Sequence, residues 1–283
     1  MTKQLLKFAN LAPQIVQAVG LFRSVKPGTR ARPLEVVYET QDLRFRFLGP
    51  FLLGVDDMRV LQGIVAIASV QNPRLKLTLD EAGDDRFKKI QRLLSRTMDV
   101  HTTYDELCRT IGYDASGGSA DTTIRNALER LFAVSVSIQP RDRKNARTFE
   151  AGHIFERLPS TEASQSINVK LCPLLAFAVF GGPGMFMRVD LFEARKLKTD
   201  ITRLLHMHLA WIGPGMSRTV GLDKLVQYVY GTEAVTAATQ RQRKVRVKAG
   251  LQELARTLNW RVWPNRDKYA ISRPAMRPKP FST

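Results

Sequence analysis

The chain has 283 residues and an ordinary apolar fraction of 44%, which excludes wholesale disorder and suits two domains. Forty-four Lys and Arg against 26 Asp and Glu leave a net charge of +18, an excess that a compact chain normally matches with a polyanion. The longest uninterrupted apolar run, residues 172–180, is less than half a membrane span, and the first twenty residues lack a signal-peptide core. A cytoplasmic protein with no membrane partner is therefore expected.

The charge is unevenly placed. Residues 1–160 carry 24 basic and 18 acidic side chains, whereas residues 161–283 carry 20 and 8. Cys108 and Cys172 lie far apart with no CxxC companion, so both are expected as small buried residues rather than zinc ligands or disulfide partners.

In chain order, Met58, Leu61, Ile64, Val65 and Ala68 follow helical spacing from Asp56 to Ser69. An insert at 70–102, with a basic helix around 86–96, interrupts the pattern. A second helix starts where Thr103 and Glu106 form a capping box, and it stops at Gly112. After the loop at 114–119, a third helix at about 120–132 carries Ile124, Ala127, Leu128 and Leu131 on one face. The period then changes to two at Val134, Val136 and Ile138. A basic turn with Arg141, Arg143 and Lys144 leads to a second strand near 149–155. Three helices and a hairpin are the order of a winged helix-turn-helix.

The order recurs downstream. Asp200 caps a helix with Ile201, Leu204, Leu205 and Leu209, ended by Gly213-Pro214-Gly215. A short helix follows at about 222–230. Thr236 caps a long helix to about Leu258, and strands at 260–263 and 268–271 flank the turn 264–267. Between the two units lie a strand (Ile167, Val169, Leu171), an apolar helix at 173–180 and Gly181-Gly182-Pro183-Gly184. The expected architecture is α+β, two tandem winged helix-turn-helix domains at 1–160 and 161–283. The first has an N-terminal extension and the 70–102 insert.

In the long helix Arg241, Arg243, Lys244, Arg246 and Lys248 follow one another with no acid among them, while Val247, Leu251, Leu254 and Leu258 share one arc. That arc is the expected core face. Thr236, Thr239 and Gln240 occupy the first turns, where a recognition helix presents base-reading side chains, and the cations suit phosphates or guanine edges. Arg261, Arg266 and Lys268 would extend the surface onto the wing. A solvated helix face would ordinarily carry acids at i,i+4, and none is present. The matching helix of the first unit offers Ser119, Thr122, Thr123, Arg125 and Asn126. It carries little charge, so a structural or dimer-forming role suits it nearly as well as DNA reading.

Catalytic constellations are weak. His206 and His208, with Tyr228 or Tyr230, resemble the metal and nucleophile groups of nicking enzymes. Residues i and i+2 of a helix, however, diverge by about 200° and cannot share a metal. The glycines at 181–184 lack the Lys-Ser/Thr of a phosphate loop. No enzyme activity, cofactor or metal is expected.

Several blocks resemble the RepC replication initiators of IncQ-type plasmids: residues 20–23 (GLFR), 54–63 (GVDDMRVLQG), 202–206 (TRLLH), 240–246 (QRQRKVR) and 268–274 (KYAISRP). They come in the expected order over about residues 20–275. The resemblance implies a protein that binds tandem origin repeats (iterons), promotes melting of a neighbouring AT-rich segment and recruits a plasmid helicase and primase. It implies two winged-helix domains and a main recognition helix at Thr236–Lys248. It also implies that dimers form, often through the first domain. A winged-helix repressor would share the fold but read inverted half-sites. An origin-nicking enzyme would need a metal-dependent tyrosine adduct.

Overall fold

A computed structural model describes residues 5–26, 28–71, 97–113, 118–141, 149–159, 165–180 and 186–275. The fold is mixed α and β. It opens with β1 (Phe8–Leu11), α1 (Pro13–Gln17), β2 (Leu34–Glu39) and β3 (Leu43–Gly49), none of which the sequence patterns had resolved. The first of two similar units then comprises α2 (Val55–Gln71), β4 (Met98–Thr103), α3 (Tyr104–Ile111), α4 (Gly118–Phe132), a hairpin β5 (Ser135–Pro140) and β6 (Phe149–His153), and the strands β7 (Phe155–Arg157) and β8 (Ser166–Leu171). After α5 (Pro173–Phe180), β9 (Met187–Asp190) and α6 (Leu191–Lys196), the second unit follows. It comprises α7 (Asp200–His208), β10 (Ser217–Gly221), α8 (Leu222–Tyr230), α9 (Ala237–Leu258), β11 (Arg261–Asn265) and β12 (Lys268–Ser272).

The units share more than their order. The first builds a sheet β4-β8-β7 and the second a sheet β10-β12-β11, so in both the strand after the first helix pairs with the last strand of the unit. Two expectations change as a result. The hairpin expected after Val134 is present, with β5 paired to β6 from Ser135↔His153 to Ile138↔Phe149, but it does not join the first unit's sheet β4-β8-β7. The apolar side chains of β5 oppose Phe47 and Phe45 of β3, and β5 joins a separate sheet β2-β3-β5-β6. Alternation shows that one strand face is buried but not which strand buries it. The closing strands are instead β7 and β8, paired Phe155↔Leu171 to Arg157↔Val169. A border near residue 160 would therefore separate paired strands, because β8, expected as a connector, belongs to the first unit's sheet. The 86–96 helix and Gly181–Gly184 lie outside the described residues.

Local signals account for most helix ends. The Thr103 hydroxyl accepts from the Glu106 amide at 3.2 Å, and Gly112 closes α3 in the left-handed region at φ 72°. At α7 the cap is Thr199, not Asp200, with its hydroxyl 3.3 Å from the Thr202 amide; Asp200 is the first helical residue.

One buried cluster of apolar residues runs through both units, and the N-terminal segment ties them together. β1 pairs antiparallel with β9. The Arg23 amide donates to Leu53 O at 3.0 Å and the Ser24 amide to Val229 O at 2.7 Å, one bond to each unit. Arg23 also reaches Glu233 at 2.6 Å. Gly20 and Gly231 meet there, both at positive φ (85° and 76°), a conformation that a side chain would strain.

Asp57 anchors the first unit. Its carboxylate is fully buried and accepts from the Gly54 amide at 2.6 Å, Arg130 at 2.7 Å and Arg30 at 2.9 Å. Burial pushes its pKa up, while Arg130, the Gly54 amide and Arg30 oppose that shift. Asp57→Ala would leave Arg130 largely buried without its counter-ion and is expected to cost about 3–5 kcal/mol. Urea unfolding checks this, and a loss below about 1 kcal/mol would show that the ion pairs are dispensable.

His208 supplies a pH dependence. It is fully buried, its ring stacked 4.6 Å from that of Tyr228, and burial pushes its pKa down to about 4. Below about pH 6.5 the unfolded chain takes up a proton that the folded chain refuses, so stability falls as pH drops toward 4. Its contribution is about 3 kcal/mol over that window. His208→Phe should flatten the fall in melting temperature between pH 7 and 5, and parallel curves for the two proteins would refute the assignment.

Candidate nucleic-acid interface

The basic helix α9 is capped by Thr236, whose hydroxyl lies 3.3 Å from the Thr239 amide, and ends at Asn259 in the left-handed region. Val247, Leu251, Leu254 and Leu258 are buried, as the arc predicts. Gly250 joins them because α9 approaches α7 closely: a Cβ there would lie 2.8 Å from Ile201 Cγ2 and 3.2 Å from Leu205 Cδ1.

The predicted reader residues separate into two groups. Gln240, Arg243 and Lys244 are half-buried and turn toward α8. Lys244 pairs with Asp223 at 2.8 Å and, with Gln240, holds that carboxyl below its usual pKa. The Arg243 guanidinium lies over the Tyr230 ring at 4.8 Å. Burial pushes the Tyr230 phenol up, and Arg246 and Arg243 partly offset the shift. Arg241, Arg246 and Lys248 are exposed and have no carboxylate partner among the described residues. The acid absent at i,i+4 within α9 is thus supplied to Lys244 from α8, which sequence spacing could not show.

The hairpin β11–β12 adds Arg261, Arg266 and Lys268, all exposed. Arg266 sits at its tip with φ 55°. Sequence reasoning missed Trp263, 45% exposed on the same hairpin, and Gln242 and Val245 on the outer side of α9. A helical projection of α9 would have found the last two; the run of cations drew attention to charge instead.

The first unit's α4 exposes Ser119, Thr122, Arg125 and Asn126. Thr123 is half-buried and donates to Ser119 O at 2.8 Å, Thr122 donates to Gly118 O at 3.2 Å, and Arg125 lies 5.3 Å over the Tyr104 ring. Arg141 directly follows β5, at the expected turn between β5 and β6. It donates to Thr40 O at 3.3 Å and lies 3.9 Å from Glu39. Arg143 and Lys144 lie outside the described residues.

His206 and His208 diverge. His206 bonds Glu193 at 2.9 Å, a carboxylate shared with Arg273, while His208 faces Tyr228. Tyr228 and Tyr230 are buried. Both cysteines are buried as well, and burial pushes the Cys172 thiol up to about 11. No helix among the described residues is long and apolar enough to cross a membrane.

The fold is similar to a crystal structure of RctB domains 2–3 (TM-score 0.55, 11% identity, covering 93% of this chain and 96% of that one). A second structure, of selenomethionine derivatives of the same two domains, gives TM-score 0.54 and 11% identity over 92% and 98% of the two chains. At that identity the likeness speaks for the fold. The sequence itself carries the assignment further: residues 3–275 match the family model of replication protein C, and the chain belongs to the RepC family. No curated protein matches the chain.

Substitutions should separate the two groups on α9. Arg243→Ala is expected to destabilise the fold by about 0.5–1 kcal/mol through the lost contact with Tyr230. Arg241→Ala and Lys248→Ala should stay within about 0.5 kcal/mol of the parent. Urea unfolding of the three variants tests this, and equal losses would mean the outward residues are also held by the fold.

Proposed function

We propose that this protein is a plasmid replication initiator that binds directly repeated origin DNA through α9 and the β11–β12 hairpin. In this view each unit is a winged helix-turn-helix with α9 as the main recognition helix, and the initiator promotes origin melting and recruits a helicase and primase. The observation that carries the proposal is the outward set Arg241, Arg246 and Lys248, without a carboxylate partner among the described residues, beside a hairpin bearing Arg261, Arg266 and Lys268. Three exposed cations on one helix repel each other in isolation and gain most from a phosphate backbone. Family membership and the +18 net charge support the same reading.

The second unit carries the charge for affinity. On α4 the exposed Asp121 and Glu129 accompany Arg125, and Glu129 pairs with Arg157 of β7, so the first unit adds register on DNA or a dimer contact rather than electrostatic strength. No catalytic chemistry, cofactor or metal is part of the proposal.

The test is a salt titration of duplex binding. If five or more cations meet phosphates, log K should fall against log salt with a slope of about −4.5 or steeper, and Arg241→Ala or Lys248→Ala should each reduce it by about 0.9. A flat response of the unaltered chain would refute DNA binding. Tight, steeply salt-dependent binding confined to inverted half-sites would favour a repressor instead.

A further inference from the structure

The outer side of α9 is not uniformly polar. Val245 is 66% exposed, the most exposed large apolar side chain among the described residues. At 100° per residue it lies about 160° from Val247, nearly opposite the core face. Ala238, Gln242 and Ala249, also exposed, continue the same strip at helical spacing. The cations Arg241, Arg246 and Lys248 flank it.

Helix propensity accounts for Ala238, Gln242 and Ala249 but not for Val245. Val is a poorer helix former than Ala, Lys or Gln, and in water its side chain gains nothing from packing. Small apolar groups along the centre of a helix face, with cations on its margins, complement a major groove. The phosphates line the groove's walls, and the thymine 5-methyl group is its apolar feature on the floor. A Gln one turn earlier has the donor and acceptor that match adenine N7 and N6.

We infer that the strip Ala238–Gln242–Val245–Ala249 reads A·T base pairs, with Val245 packed on a thymine methyl and Gln242 on an adenine edge. This rests on the proposal that α9 enters the major groove, and it assigns base recognition to residues other than the half-buried Gln240 and Arg243.

The probe is a duplex recovered by the full-length chain from a random pool, with each thymidine replaced in turn by deoxyuridine, which lacks only the 5-methyl group. At one or two positions the replacement should weaken binding by about fourfold, the worth of burying one such group. Val245→Ala should bind thymidine and deoxyuridine duplexes equally at those positions. Replacing adenine by 7-deazaadenine at a neighbouring pair should likewise weaken the parent but not Gln242→Ala. Neither substitution touches a buried residue, and both proteins should unfold at the parent's urea midpoint or above it.

The inference is overturned if deoxyuridine has no effect at any position, or the same effect on the parent and Val245→Ala. It is also overturned if Val245→Ala changes self-association and leaves the thymidine preference intact, since the strip would then be a protein contact. Failure of the unaltered chain to bind any duplex would instead refute the functional proposal on which the inference rests.

Discussion

The structure depends on a carboxylate that has no access to water. Asp57 sits at the start of α2 with its oxygens committed to a backbone amide and to Arg130 and Arg30 from two other parts of the chain. A buried charge is tolerated only when partners replace its hydration, so the start of α2, the last turn of α4 and the segment before β2 must arrive together. Nearby, Arg59 donates to Ile111 O at 2.7 Å and lies over the Tyr113 ring at 3.8 Å, while Arg195 from α6 donates to Thr110 O at 2.7 Å. Two arginines from different elements thus satisfy the last carbonyls of α3, where positive charge also suits the helix dipole. These contacts and the Arg23 staple hold the units in one arrangement.

Cations in this protein consequently do two kinds of work. Arg30, Arg130, Arg195 and Arg273 are bound to carboxylates or carbonyls of the fold. Arg241, Arg246 and Lys248 are not bound by any described carboxylate, and their charge is available to a partner. A net charge of +18 does not distinguish these populations. The distinction follows from which side of a helix faces its neighbours, and on α9 even adjacent residues fall on opposite sides of it.

Three of the five resemblance blocks lie at positions of tight physical demand; a fourth, residues 240–246, lies on α9. Residues 20–23 form the staple between the units, residues 54–63 hold Asp57 and Arg59, and residues 202–206 pack α7 against α9 and Glu193. In these three blocks the residues serve to build and join the units. The outward strip of α9 takes no part in these contacts between the units.

By itself the sequence determined the two-fold recurrence of helices, the core arc of α9, the Thr236 and Thr103 caps, the Gly112 stop and the excess of positive charge in the second unit. Those are local quantities: periodicity, hydroxyl placement and composition act over a few residues. Only the tertiary structure decided that β5 pairs with β3, that β8 completes the first unit, that Asp223 neutralises Lys244 and that β1 pairs with β9. Strand pairing, and ion pairing between helices, join residues whose separation along the chain leaves no periodic trace. One alternating strand reads the same whichever partner buries it, and one basic helix reads the same whichever of its cations a neighbour has already taken.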